Sequence, residues 1–335
     1  MQHIIAQMAR RGASAPATPA ETTAFDYSTT SSGFAHTVYD YARTGYRGRS
    51  ALAEVSHQTN HTTLAVTWHT QGSTSPPLLL NVYVNGGHHA VLTPTGGATF
   101  STASCALPAG TKTVLLRQGG TWPVSGAVRG ADITGATYSG GTFATASVPA
   151  RKASRMVTCS DSIGVGAGTA NNGRYAWQVL LREQLPGWEF ASMGAAGAGA
   201  AIVQNPNDAQ RLVNYLSGAN RKVLWWALGT NDYNADPATW GANLANWLES
   251  VHALDPAIEV KVQTMIWREG FETQVEPLRQ QMRDIAAARS WCQLVEASNW
   301  IPIDQYYPDA LKVHPNEQGN ETFASRVKDV LTTQT

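Results

Sequence analysis

Apolar positions along this chain follow two different periods. From about Phe25 to Tyr138 they alternate. Thr63–Thr70 reads TLAVTWHT and puts Leu64, Val66 and Trp68 on one face. Leu78–Val84 reads LLLNVYV, and the Asn85-Gly86-Gly87 that follows is a tight-turn signal between paired strands. Thr111–Arg117, TKTVLLR, comes after the turn LPAG. Short strands separated by Gly/Pro turns predict an all-β sandwich or jelly-roll domain over residues 24–140. Residues 1–23 end in the Ala/Pro/Thr-rich APATPAETT, the composition of a loose N-terminal arm. Residues 141–152 read as a linker.

Over residues 153–335 the period changes. Strand-like runs at Met156–Thr158, Trp188–Ser192, Val223–Leu228, Val260–Ile266 and Leu294–Ala297 alternate with helix-like segments. Those segments lie near Arg174–Glu183, Asn207–Leu216, Trp240–Ala253, Val275–Arg289 and Glu317–Leu331. Alternating βα units predict a parallel sheet covered by helices on both faces, an α/β three-layer sandwich. In such sheets ligands bind beyond the carboxyl ends of the strands, so the residues that follow each strand carry the functional information.

Composition narrows the partners. The chain has 335 residues, with 24 basic and 24 acidic side chains and a formal net charge of +0. That balance gives no electrostatic reason to expect nucleic acid or an anionic membrane as a partner. Charged residues are only 14% of the total, against about 25% in an ordinary soluble domain. No apolar run reaches the ~18 residues of a membrane span. Arg10 and Arg11 are not followed by the apolar stretch of a secretory signal. Cys105, Cys159 and Cys292 show no metal-ligand spacing, and three cysteines cannot all pair, so they read as small buried hydrophobes. Neither a metal nor a cofactor is implied.

Three segments past strand ends and the loop before the last helix carry candidate chemistry. The first α/β strand runs into CSDSIGVGAGT, where Ser162 sits just past the strand and glycines allow a sharp turn. The second ends in SMGAAGAGA, where Gly197 can bring a backbone N–H close to a ligand. The third, KVLWWAL, ends in Gly229-Thr230-Asn231-Asp232, and the Asn231 amide can donate to an oxyanion. The last is VHPNEQGN, where His314 precedes Pro315, and Asn316 stands where it can cap the final helix. Singly, each also reads as an ordinary turn, cap or structural residue. Together they supply a nucleophile, a base and oxyanion donors, the parts acyl transfer needs. Tyr233 and Trp267, just past strand ends, are candidate walls of a substrate cleft; core packing is the competing reading for Trp267.

In the order and spacing of these segments, Arg155–Val330 resembles the SGNH (GDSL-like) hydrolase superfamily. Ser160-Asp161-Ser162 is similar to its first block, Gly197 to the second, Gly229-Thr230-Asn231-Asp232 to the third and His314-Pro315-Asn316 to the last. The resemblance implies a flavodoxin-like α/β/α fold and a serine esterase. Ser162 would be the nucleophile and His314 the base, with Ser162 N–H, Gly197 N–H and the Asn231 side chain as the oxyanion hole. A β-sandwich ahead of such a domain resembles carbohydrate esterases of the acetylxylan-esterase type. The expected substrate is therefore a short acyl ester, an O-acetyl group on a small molecule or polysaccharide. Two positions depart from the family. Ser160 replaces the usual glycine. The acid normally three residues before the histidine is Leu311 here, so the third catalytic member is either Asp309 or a backbone carbonyl. Ser160-Asp161-Ser162-Ile163-Gly164 is also similar to the G-x-S-x-G of α/β-hydrolases, but that fold places its nucleophile after several strands and has no role for G-T-N-D. A carbohydrate-binding or virion-type structural protein with an inactive hydrolase domain is the alternative outside enzymes.

Overall fold

The computed structural model describes residues 23–26, 54–69, 78–93, 100–120, 132–139, 152–194, 197–202, 206–308 and 312–333. The chain divides into two compact units, residues 1–150 and 151–335. The expected arm, save Thr23, and the expected linker, save Lys152, lie outside the described residues.

The described part of the amino-terminal unit comprises β1 (Thr23–Asp26), β2 (Glu54–Thr59), β3 (Thr63–His69), β4 (Leu78–Val84), β5 (Gly87–Leu92), β6 (Phe100–Ala106), β7 (Lys112–Gly120) and β8 (Asp132–Ser139). They pair antiparallel into two sheets, with strand orders β1-β8-β3-β6 and β2-β7-β4-β5. Alternation explains the core. Leu64 and Val66 of β3 meet Leu80 and Val82 of β4 and Val114 and Leu116 of β7 in one buried cluster. Because β3 belongs to one sheet and β4 and β7 to the other, that cluster is the filling of a sandwich. Asn85 and Gly86 have φ of 51° and 86°, the positive values that a two-residue hairpin turn needs, and Val84 pairs with Gly87 across it. The His88-His89 pair that follows the turn lies in β5.

The carboxyl-terminal unit contains β9 (Ser154–Ser160), β10 (Trp188–Gly194), β11 (Arg221–Ala227), β12 (Ile258–Gln263) and β13 (Cys292–Val295). Its helices are α1 (Asn172–Tyr175), α2 (Trp177–Gln184), α3 (Pro206–Leu216), α4 (Pro237–Leu254), α5 (Glu272–Ala287) and α6 (Glu317–Thr332). All five strands are parallel, in the order β10-β9-β11-β12-β13. Adjacent side chains on β11 show why both faces are covered. Trp225 packs in a cluster with Trp177 and Leu181 of α2 and Phe323, Val327 and Leu331 of α6. Trp226, one residue on, meets Trp247 of α4 with ring centroids 5.5 Å apart. Phe323, Val327 and Leu331 recur every fourth residue and so form one helical stripe. Burial of each such side chain contributes about 1.5–3 kcal/mol.

Register brings the strand ends together. Ser160 of β9 is level with Gly194 of β10 and Ala227 of β11. The chain leaves β9 for the edge strand β10 and returns on the other side at β11, so the strand order reverses at β9. Such a switch point opens a crevice beyond the strands' carboxyl ends, and Ser162 is the second residue out of β9.

One predicted helix divides in two. The sequence suggests a single helix near Arg174–Glu183, but the chain breaks at Ala176, where ψ is 136°. The Trp177 N–H donates at 3.0 Å to Oδ1 of Asn320, on α6. That tertiary acceptor satisfies a helix-start donor that an unbroken helix would have bonded internally. All three cysteines are free thiols, with Cys159 and Cys292 buried. Among the described residues no helix is long and apolar enough to cross a membrane.

Candidate active site

Beyond Ser160 the chain folds into successive turns. Val165 N–H donates to the Asp161 carbonyl at 3.2 Å, and Ala167 N–H to the Ser162 carbonyl at 2.9 Å. Ser160 itself is buried. Its Oγ accepts from Gln178 Nε2 at 2.9 Å and lies 3.3 Å from Ser192 Oγ. A Cβ on Gly164 would stand 2.0 Å from that Oγ. The serine that departs from the family pattern thus fills space that Gly164 leaves empty.

Ser162 and His314 are 152 positions apart in sequence, and His314 Nε2 lies 3.0 Å from Ser162 Oγ. For the hydroxyl to donate, Nε2 must be the unprotonated ring nitrogen. Three contacts hold His314 there. Tyr307 N–H donates to the His314 carbonyl at 2.7 Å. Asn316 Oδ1 accepts Gly319 N–H at 2.9 Å and caps α6, as the sequence suggests. Asn320, wholly buried, donates from Nδ2 to the Pro315 and Asn316 carbonyls, both at 3.0 Å. Its Oδ1 takes the Trp177 N–H, so one amide ties the histidine loop to the helix after the serine loop. Asp309 lies outside the described residues.

Asp161 is fully buried beside Ser162. Burial pushes its carboxyl up to about 7, against the pull of the Ile163 N–H and the Thr230 hydroxyl, and the charge of Asp232 adds to the rise. Oδ1 accepts the Ile163 N–H at 2.9 Å. Among the described residues, none stands at hydrogen-bond distance from Oδ2.

The G-T-N-D segment forms a short 3-10 turn, Thr230–Asp232, entered through Gly229 at φ 134°. A side chain at Gly229 would meet Met265 Sδ at 2.8 Å. Asn231 is exposed, and its Nδ2 donates to the Ala198 carbonyl at 2.9 Å. An amide nitrogen has two hydrogens, so this bond leaves a second donor and fixes the plane in which it points. Asp232 Oδ2 accepts Ala200 N–H at 2.8 Å, and a Cβ on Gly199 would run into Asp232 Oδ1 at 2.4 Å. The loop after β10 is therefore laced to the turn after β11. Gly197 in that loop has φ 79°, in the left-handed region that favours glycine.

The two proposed wall residues differ. Tyr233 is half-buried and meets Phe271 edge-on, with centroids 4.7 Å apart. Trp267 is half-buried too, but its ring packs against the core and meets Tyr306 at 5.6 Å. Sequence reading misses Arg268, which follows Trp267 and lies over the Tyr233 ring. Only 8% exposed, it donates from Nη1 to the Thr230 carbonyl at 2.8 Å. Its one signal is a cation standing at the end of the apolar segment TMIW. No cluster of three or more His, Cys, Asp or Glu suited to a metal ion occurs among the described residues.

A serine hydroxyl in contact with an imidazole, with an amide donor on a neighbouring strand end, is the equipment of nucleophilic acyl chemistry. Comparison with known proteins agrees in sequence and fold. Residues 161–322 match the GDSL-like lipase/acylhydrolase family. No curated protein matches the chain at a significant level. Among solved structures, the salicylyl-acyltransferase SsfX3 from a tetracycline biosynthetic pathway is similar at TM-score 0.68 and 18% identity, over 86% of this chain and 84% of that one. A family two carbohydrate esterase from Clostridium thermocellum, in complex with cellohexaose, is similar at TM-score 0.59 and 14% identity, over 85% and 93%. The acetyl xylan esterase Est2A from Butyrivibrio proteoclasticus is similar at TM-score 0.61 and 10% identity, over 94% and 99%. At such identities the likeness is one of fold. The family match, the parallel sheet with its flanking helices and the four motifs in sequence order place the carboxyl-terminal unit of this chain in the SGNH/GDSL hydrolase superfamily.

Proposed function

We propose that this protein hydrolyses short acyl esters, O-acetyl groups on a carbohydrate in particular, through an acyl-enzyme on Ser162. The 3.0 Å contact between Ser162 Oγ and His314 Nε2 carries the reading. In this mechanism Ser162 Oγ attacks the ester carbonyl as its proton passes to His314. The tetrahedral oxyanion takes hydrogen bonds from Ser162 N–H, Gly197 N–H and Asn231 Nδ2. His314 then gives its proton to the leaving alcohol. Water, deprotonated by the same imidazole, releases the acid and regenerates the serine. Asp309 orients His314 in this reading, and Tyr233 and Trp267 limit the acyl group to a short one. We read the amino-terminal unit as a jelly roll on its strand orders, β1-β8-β3-β6 and β2-β7-β4-β5.

The carbohydrate assignment draws support from the esterases of similar fold. The likeness to a salicylyl-acyltransferase supports a second reading, in which an alcohol rather than water resolves the acyl-enzyme. The test is turnover of p-nitrophenyl acetate and release of acetate from acetylated xylan, with Ser162→Ala as control. The expected result is activity that disappears in Ser162→Ala and His314→Ala, with the double variant no worse than either single, because the two act as a unit. Full activity in Ser162→Ala protein rules the mechanism out. Acyl transfer to an added alcohol faster than hydrolysis selects the second reading.

A further inference from the structure

We propose that Arg268 is a positioning residue for Asn231: it clamps the carbonyl of Thr230 and so fixes where the exposed Asn231 amide points. The proposal rests on the esterase reading above, because it assigns a task to that reading's oxyanion donor.

An oxyanion donor accelerates a reaction only if it is already in place when charge develops. Asn231 has no burial to hold it, since it stands exposed on a three-residue turn. On one side the turn is tied to the loop after β10, through Ala198 and Ala200. On the other it meets the segment after β12, and there Arg268 Nη1 takes the carbonyl of Thr230, the residue immediately before Asn231.

The clamp is itself held in place. The Arg268 guanidinium lies in an aromatic corner, its Cζ 3.9 Å from the Phe271 ring centroid and 4.6 Å from that of Tyr233. Its backbone N–H donates to Glu272 Oε1 at 2.8 Å. Glu272 is in turn gripped by Arg279, from Nη1 at 2.6 Å and Nη2 at 3.1 Å. Arg279, only 1% exposed, also donates to the Met265 carbonyl at 2.9 Å and the Ile266 carbonyl at 3.0 Å. A chain of charge-assisted bonds thus runs from α5, through the segment after β12, to the turn that bears Asn231. Burying two guanidinium groups is costly unless each is well paired. The planar fork of arginine suits a site with an aromatic face and a carbonyl acceptor, and lysine does not match it. The arrangement also gives Tyr233 a second part, as one wall of the Arg268 corner.

The test compares wild type, Arg268→Met, Arg268→Lys, Asn231→Ala and the Arg268→Met/Asn231→Ala double variant on p-nitrophenyl acetate. Arg268→Met should lower kcat about tenfold or more and shift KM by less than about twofold, as loss of transition-state stabilisation requires. Arg268→Lys should recover part of the loss. On the Asn231→Ala background, Arg268→Met should cost less than about twofold further, because the donor it positions is gone. A rise in KM with kcat unchanged, or an undiminished loss without Asn231, overturns the proposal. Amide hydrogen exchange supplies a readout that needs no turnover. The Asp232 N–H, bonded to the Gly229 carbonyl at 2.9 Å, should exchange about tenfold faster in Arg268→Met if the turn is released. Unchanged exchange there removes the clamp. Wild-type protein inactive on every ester, with exchange faster in the variant, instead rejects the esterase reading and leaves the clamp standing. If Arg268→Met does not fold, Arg268→Lys decides on the same criteria.

Discussion

Gly168 comes so close to His314 that a methyl group on its Cα would stand 2.8 Å from His314 Cβ and 2.5 Å from the Pro315 carbonyl oxygen. Its φ of 99° is also one that L side chains rarely adopt. The loop that presents Ser162 and the loop that presents His314 are thus in van der Waals contact, and glycine is what permits their approach. Gly168→Ala should destabilise the fold by at least about 1 kcal/mol from backbone strain alone and lower kcat by separating serine from histidine. Gly187→Ala is the control, since among the described residues no atom beyond its chain neighbours lies within 4 Å of a Cβ there. Thermal melts and esterase kinetics on the pair check this. Equal behaviour of the two variants contradicts it.

Asn231 is expected to act on charge that forms only in the transition state. Asn231→Ala should reduce kcat by about 10²–10³ with a smaller effect on KM. Steady-state kinetics on p-nitrophenyl acetate distinguish this from a change confined to KM, which would make Asn231 a substrate-binding residue.

For Asp309 the expected outcome is a loss of several orders of magnitude in kcat for Asp309→Asn, because an imidazole held in the wrong tautomer cannot accept the serine proton. A loss below about tenfold assigns the orienting role to a backbone carbonyl and leaves Ser162 and His314 as a dyad.

Asp161 makes stability depend on pH. Its carboxyl rises from an ordinary value of 3.8 to about 7 on folding, chiefly through burial. The folded state therefore binds the proton more tightly than the unfolded chain. That contribution is complete below about pH 4 and is lost as pH climbs through about 7. Asp161→Asn cannot ionise, so its urea midpoint should gain on that of the wild type as pH is raised from 4.5 to about 8. A difference in midpoint that stays constant with pH means the carboxyl does not titrate in this window.

The residues that motifs name were legible because motifs are local. Ser162 sits in a short pattern just past a predicted strand and His314 in one just before a predicted helix, and both periods in the apolar positions survive as two kinds of sheet. The contacts that align them are not local. Gly168 reads in sequence as one of several turn glycines, and only its neighbours His314 and Pro315 show its second task. Asn320 is an unremarked polar residue in the last helix, yet it starts α2 and so breaks a helix that looks continuous in sequence. Strands such as β6 (FSTASCA) and β8 (DITGATYS) have too little contrast between polar and apolar positions to show a period, and their neighbours in the sheet define them. Trp267 reads equally as cleft wall or core; half-buried, it packs part of its ring on the core and Tyr306, a contact no local pattern announces.

The packing of Ser160 against Gly164 constrains how this sequence can change over generations. With serine at 160, any side chain at 164 collides with its hydroxyl, and Gln178 stands 2.8 Å from the same point. A side chain at 164 therefore requires both that position 160 give up its own and that Gln178 move aside. The two positions are coupled in what they can hold, four residues apart around the candidate nucleophile.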